Sequence, residues 1–456
     1  MSSASSLGMG LSALQAAQRG LEIAGQNISN VNTPGYTRQR IDQAAASSTD
    51  VPSMFGRIPA IGEGVVVLGT TRIQDQLLEV RAQQTRGAAT AATQVANGYS
   101  MVESAFGEPG DTGLQAGMAE FWSTWGDLAT DPTSSAARTS VLEEGGRLAS
   151  QFRELAGRLS TQWGGTREAL NSSVDRVNRL AQDVGDLNDA IRASKVAGVN
   201  TSELEDRRGQ LIGQLGDVVG AIAQPMEDGT MTLTVGGSVL VSGAHVSSLA
   251  VSGPSTGPGG ASPVSVVWAA SGTPATVGAG EIGGMLTTLD STIPTVMSRL
   301  DAVAASLAST VNAQQAAGYD ATGATGSPFF AGTSAASLRL APLTAAGVAA
   351  SSAPPPASDG KNADGMSALS ELQSGPDATY RDLVVSIGVQ VQGASRRADV
   401  QTALAGQAES ARLGVSSVSV DEEMVSLMGF QHAYEAAARF ISAVDETLNT
   451  LMQMAR

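Results

Sequence analysis

Few residues of this chain have types and spacings that could support chemistry, and each set lacks a member that its chemistry requires. Gly278-Ala279-Gly280-Glu281-Ile282-Gly283 has the spacing of a dinucleotide-binding loop, with Asp301 downstream. Such a loop needs a buried strand directly before it, so that a pyrophosphate faces a helix N-terminus. Only Thr276-Val277 precedes it, after a proline-containing turn, and a β-to-helix connection accounts for the glycines. The two histidines are His245, in a hairpin-like region, and His432, off the apolar face of a C-terminal helix. Metal binding or a Ser-His-Asp arrangement would need partners around them; surface or packing roles are the plainer reading. Asp320-Ala321-Thr322-Gly323 matches the start of a calcium loop, but the bidentate acid expected at its twelfth position is Ala331. Asp421-Glu422-Glu423 complements the positive end of a helix rather than forming a catalytic pair. These residues assign no catalytic group, no metal ligand and no cofactor, and the expectation is a protein that is not an enzyme.

The elements that must carry any function are long helices. The chain has 456 residues, enough for two to four domains. A net charge of −16 repels phosphate backbones and argues against nucleic acid as a partner. There is no cysteine, which excludes disulfides and thiolate metal sites. Arg19 and Glu22 interrupt the N-terminal apolar pattern, so neither a cleavable signal nor membrane insertion is expected.

Leu7, Leu11, Leu14, Ala17, Leu21, Ala24, Ile28 and Val31 recur at intervals of three and four, close to a heptad seam. Thr33-Pro34-Gly35 ends that helix, because proline lacks a donor and restricts its predecessor. Leu427, Phe430, Tyr434, Ala437, Ile441, Val444, Leu448 and Leu451 repeat the pattern at the other end of the chain, with Ser419 and Glu422 as a capping box. Neither helix can bury its own seam, so an antiparallel or staggered terminal coiled coil is expected.

Between the ends, helical periodicity covers about 71–106, 114–130, 137–160, 165–197, 202–222, 283–317 and 378–413. Thr230–Val235, Ser238–Val241 and Val264–Trp268 read as strands, with Gly236-Gly237 as a hairpin turn. The expected fold is mainly α with a small β insertion, nested and elongated. Its parts are an N-terminal heptad helix and loop of an inner coiled-coil domain (1–60) and the first part of a helical bundle (61–224). A small β domain (225–280) and the second part of the bundle (281–415) follow. The C-terminal heptad helix (416–456) closes the chain. Within the bundle, 331–376 is rich in Ala, Ser and Pro and reads as a surface excursion with little core of its own.

Asn27-Ile28-Ser29-Asn30-Val31-Asn32-Thr33-Pro34-Gly35-Tyr36, preceded by Leu21 and Ile23, resembles the N-terminal signature of flagellar rod, hook and hook-associated proteins. Helix termination and subunit contact are both compatible with these residues. The segment from Phe430 to Leu448, and Gly318–Gly323 with Ser327-Pro328-Phe329-Phe330, are similar to the hook-associated protein 1 family of hook–filament junction proteins. That resemblance implies export through the flagellar type III apparatus and an extracellular place at the hook–filament junction. It implies self-association in a ring, contacts with hook protein and with a second junction protein on the flagellin side, and an export chaperone at the C-terminal region. Tyr434, Phe430 and Met428 fit such a chaperone face or ordinary packing. Relative to longer members, only 331–376 stands where a further outer domain would be. The other readings are another axial subunit, such as a hook or distal rod protein, or an enzyme carried on a flagellar scaffold. Terminal helices with polar breaks are expected to be marginal alone and stabilised on docking.

Overall fold

The computed structural model describes residues 3–46, 64–257, 263–356 and 359–454. The chain begins with helix α1 (Ser3–Ser29), followed by an antiparallel hairpin of β1 (Gln39–Ala45) and β2 (Val65–Arg72). Periodicity had pointed to helix from about residue 71. Instead β2 runs through Arg72, and α2 (Gln76–Phe106) starts where the Asp75 carboxylate accepts from the N–H groups of Leu77 and Leu78. Gly107, in the left-handed conformation, ends it.

Helices α3 (Leu114–Thr130), α4 (Ser135–Val196) and α5 (Ser202–Val219) follow. Periodicity divides this stretch into two helices, about 137–160 and 165–197, where α4 is one and runs on through Gly164-Gly165. Each glycine weakens a helix by about 1 kcal/mol, but Leu159, Trp163 and Leu170 are fully buried on either side and hold the rod together. At 1.5 Å per residue the 62 residues of α4 span about 93 Å, which sets the length of the bundle.

A four-stranded antiparallel sheet of β3 (Ile222–Pro225), β4 (Met231–Val235), β5 (Ser238–Ser242) and β6 (His245–Val246) comes next, then a pair, β7 (Leu249–Ser252) and β8 (Ser265–Trp268). Gly236 and Gly237 both have positive φ, 55° and 83°, as a tight two-residue hairpin demands. Residues 280–317 form one continuous helical run: α6 (Gly280–Thr287), a π-helical turn over Thr288–Thr292 and α7 (Ile293–Ala317).

The stretch 331–376 is not a surface excursion. It holds β9 (Phe330–Ala331) paired with β10 (Arg339–Leu340), and α8 (Lys361–Ser367). Ala335, Leu338, Val348, Ala350, Ala363 and Met366 are fully buried in the main core. Small residues hid this, because a short alanine-rich segment carries no apolar period. Helices α9 (Pro376–Ser416) and α10 (Val420–Met454) complete the chain, with α9 along α2 and α10 along α1. The fold is mainly helical with small sheets, elongated and nested. No described helix is long and apolar enough to cross a membrane.

Among the dinucleotide-like glycines, Gly280 has a structural reason. Gly280 has φ +71°, and a Cβ there would lie 2.7 Å from the carbonyl carbon and oxygen of Val218. Gly280→Ala is therefore expected to destabilise the bundle by about 2 kcal/mol or more, from left-handed strain plus overpacking. The midpoint of denaturant unfolding measures this loss.

Candidate functional site: the clasp at the root of the terminal helices

Helices α1 and α10 pack antiparallel, with Gly10 against Ile441, Gly20 against Phe430 and Asn27 against Glu423. The deepest positions on α1 are small: Gly10, Ala16, Ala17, Gly20 and Ala24, together with Ile23 and Asn27. On α10 they are Glu423 and Ala437. Of the large seam residues, Leu14, Leu21, Ile28, Leu427, Phe430, Ile441, Val444 and Leu448 are half-buried, whereas Leu7, Leu11, Tyr434 and Leu451 are exposed. Glycine and alanine let the helices approach closely, so the larger side chains flank the contact rather than fill it. Met424, Val425, Met428, Phe440, Met452 and Met454 add further apolar surface on α10.

At the base of this pair the asparagine-rich segment folds into a clasp. Asn27 is fully buried. Its amide donates to the Gln39 carbonyl at 2.9 Å and to Glu423 Oε2 at 3.0 Å. Its Oδ1 accepts from the Gln39 N–H at 3.0 Å and from the Tyr36 hydroxyl at 2.8 Å. One side chain thereby uses its full donor and acceptor capacity to tie α1, the loop, β1 and α10 together.

Asn30 is local: its amide bonds the Gln26 carbonyl, and its Oδ1 accepts from the Thr33 hydroxyl. Asn32, Thr33, Pro34 and Gly35 are exposed. The Pro34 carbonyl accepts from Gln210 Nε2 on α5 at 2.7 Å, and Gly35, at φ +80°, leaves room for the Gln210 side chain. An open groove of 530 Å³ lies beside these residues, bordered by Tyr36, Glu203, Asp206 and Arg207.

The acidic run at the start of α10 is more than a complement to the helix dipole. Arg38 Nε bonds Glu423 Oε1 at 2.7 Å, and Arg38 Nη1 bonds Glu422 Oε2 at 2.6 Å. Arg38 carries no signal in the sequence, and Glu423 is legible there only as part of the acidic run Asp421-Glu422-Glu423. Glu423 stands where the α10 seam continues, four residues before Leu427, but an acid gives no apolar signal there, and its burial appears only once α10 is laid across the loop. Glu422, read as a capping-box acid, reaches Arg38.

On the bundle side, Arg72 of β2 forms an ion pair with Asp206 of α5, Nη2 to Oδ1 2.8 Å, and donates to the Thr37 hydroxyl, also at 2.8 Å. Burial pushes the Asp206 carboxyl up, and Arg72 and Thr37 pull it back. Burial, then the charges of Asp206 and Glu423, push the Tyr36 phenol up to about 12. Nothing here pairs a nucleophile with a base, and no described group of three or more His, Asp or Glu residues could hold a metal ion. The arrangement orients and joins. The other sequence candidates are structural too. The Asp320 carboxylate accepts from the Thr322 N–H and hydroxyl and from the Ala324 N–H in a local turn. His245 and His432 are exposed.

Two outcomes follow from this geometry. Asn27→Ala strands the Gln39 N–H and part of the Glu423 carboxylate, and should cost about 1–3 kcal/mol. Hydrogen exchange in α1 should register the loss, and Asn27→Asp, which cannot donate to Glu423, should be worse. The folded protein also holds the Tyr36 proton more tightly than the unfolded chain, whose phenol ionises near the ordinary 10.0. Tyr36 thus has no effect on the pH dependence below about 10, and its contribution is lost as pH rises from there through about 12. Alkaline unfolding of Tyr36→Phe should fall less steeply than that of the native protein.

Comparison with known proteins agrees with this layout. Residues 99–330, half of the chain, match the family model described as the flagellar hook-associated protein FlgK helical domain. Residues 7–37 match the flagella basal body rod protein model, and 409–454 the C-terminal model of the flagellar basal body rod FlgEFG proteins. Flagellar hook-associated protein 1 of Escherichia coli (strain K12) is 31% identical over 70% of this chain. That match spans only 59% of the relative's length. The Bacillus subtilis (strain 168) protein of the same name is 26% identical, with 96% of each chain covered. The solved flagellar hook junction protein FlgK from Burkholderia pseudomallei superposes with a TM-score of 0.61 at 16% identity, over 76% of this chain and all of that one, a likeness of fold. With the helical-domain match spanning half its length, the chain belongs to the flagellar hook-associated protein FlgK family.

Proposed function

We propose that this chain is a non-catalytic structural subunit of the bacterial flagellum that forms the junction between hook and filament. The observation that carries this reading is the antiparallel terminal pair, which leaves Leu7, Leu11, Val425, Met428, Phe440 and Leu451 exposed on helices anchored by a buried clasp. Apolar surface on this scale is unusual on a free monomer and suits packing against neighbouring copies. The relatives named hook-associated protein 1 and the hook junction protein support a place at the junction. The rod models match both ends, which favours an axial position and would also fit a rod or hook subunit. The helical-domain match in the middle favours the junction.

On this reading the subunits form a ring outside the cell. They meet hook protein on one side and, through a second junction protein, flagellin on the other. Export proceeds through the type III apparatus, with a chaperone on the apolar face of α10. The terminal helices pack into the inner tube while the bundle and sheets make the lateral and outer contacts.

Electron microscopy of a deletion strain, with flagellin assayed in the medium, tests the assignment. Hooks lacking filaments, with unpolymerised flagellin secreted, are expected; missing hooks would move the chain to the rod or hook, and normal filaments would refute the reading. Ile441→Asp places an unpartnered charge beside Gly10 and should block incorporation while the bundle stays folded. Val425→Asp, at an exposed position, should impair incorporation without loosening the terminal pair.

A further inference from the structure

Only the start of α9 enters the main apolar core, through Tyr380, Leu383 and Ile387. Beyond them its buried positions are Ala398, Ala408 and Ser416. Val385, Val389 and Val400 are 65%, 61% and 58% exposed, and Leu404 and Val415 are exposed too. Steps of four, eleven, four and eleven residues keep these five on one side of the helix. A surface helix ordinarily turns its large apolar side chains to the core. The second half of α9 does the reverse, burying alanines and showing valines and a leucine to solvent.

This face is also locally basic in a chain of net charge −16. Between Val389 and Val400, Arg396 and Arg397 outweigh Asp399, and all three are exposed. Neither arginine has an ion-pair partner among the described residues. The opposite sign is concentrated elsewhere: residues 87–137 contain Glu103, Glu108, Asp111, Glu120, Asp127 and Asp131 but no Lys or Arg. Glu120 and Asp127, two turns apart, are exposed on one side of α3. A second copy of the chain therefore carries the complement of the α9 face. From Val385 to Val415 the face is about 45 Å long and about 10 Å wide, roughly 450 Å². Covering it with a second copy would bury roughly 900 Å² in all, below the roughly 1,200–2,000 Å² of a stable pair. Such a contact leaves the free chain a monomer and takes effect when it is repeated around an assembly.

We propose that the outward face of α9 docks a second copy of this chain, whose acidic α3 side meets Arg396 and Arg397. Because the two faces differ, the contact is head-to-tail, the kind that builds rings and helical arrays. It rests on the part of the junction reading in which copies pack side by side, and it names the face by which they do so. The terminal helices take no part in it.

The purified chain, with the photoreactive residue p-benzoylphenylalanine in place of Val400, tests this apart from any placement in a flagellum. Irradiation at rising protein concentration should give a product of twice the monomer mass. Trypsin leaves residues 87–138 as one peptide, since Arg86 and Arg138 are the flanking cleavage sites, and position 400 should be joined to that peptide. Arg396→Glu with Arg397→Glu, or Val389→Lys alone, should lower the yield about tenfold, as loss of a central contact does. Val425→Asp on α10 should leave the yield unchanged. All these side chains are exposed, so unfolding midpoints should match the parent. No product, an undiminished yield in the α9 variants, or cross-links to any other peptide, α9 included, would overturn the proposal. An equal loss in Val425→Asp would overturn it by moving the contact to α10, and a lowered midpoint by making the α9 face part of the fold. Normal filaments in the deletion strain alongside the expected cross-link would refute the junction and leave this contact standing.

Discussion

The fold depends repeatedly on one interaction: a helix asparagine that offers both its amide and its carbonyl oxygen to the backbone of an extended residue. Asn27 does this to Gln39, Asn188 to Met231, and Asn178 to Leu249. Asn312 does it at the Phe329–Phe330 turn, accepting from both N–H groups and donating to the Phe330 carbonyl. A peptide-like side chain completes the pairing that an isolated strand edge lacks next to a helix, where water is excluded and an unpaired backbone group would be costly. Each sheet or hairpin is too small to stand alone. The asparagines moor them to the long helices.

This mooring explains how a molecule with so few aromatic residues keeps a defined shape. The aromatic groups are concentrated where α3, α4 and the β9 region meet, with Phe121, Trp125, Phe329 and Phe330 in mutual contact. Away from that centre the core is aliphatic, built of residues such as Leu170, Val177, Leu215 and Leu300, and polar bonds help set the geometry. Asn188 also receives Arg208, whose guanidinium is buried, lowered to about 10 by desolvation and bonded to the Gly229 carbonyl as well. The α5 end of the bundle and the four-stranded sheet are therefore one piece.

Toward the termini the same economy has a functional sense. A pair of helices packed on glycine and alanine keeps its larger apolar side chains at the margins, available to other chains. A rigid polar clasp at its root ensures that those side chains are presented in one arrangement. Apolar burial at the root would have merged the pair into the bundle. Ion pairs and amide bonds keep it a distinct unit.

Much of the layout was legible in the amino-acid order. The three-and-four spacing of both ends, the helices 114–130 and 378–413, and the glycine hairpin at 236–237 follow from local periodicity and turn chemistry, which need no distant partner. The Asn27–Tyr36 segment was recognisable as a unit, yet its working parts were not. Asn27 and Asn30 look alike in sequence, and only the crossing of α10 makes one a fully buried hub and leaves the other a local cap. Arg38, Glu423 and Arg72 carry no apolar signal, and their partners lie far along the chain, 385 residues away for Arg38 and Glu423. The core within 331–376 was likewise hidden, since alanines become core only when another element covers them. Local order determined which segments are helix or strand. Tertiary structure decided which polar residues are buried, because a polar side chain's burial depends on the donors and acceptors that distant segments bring to it.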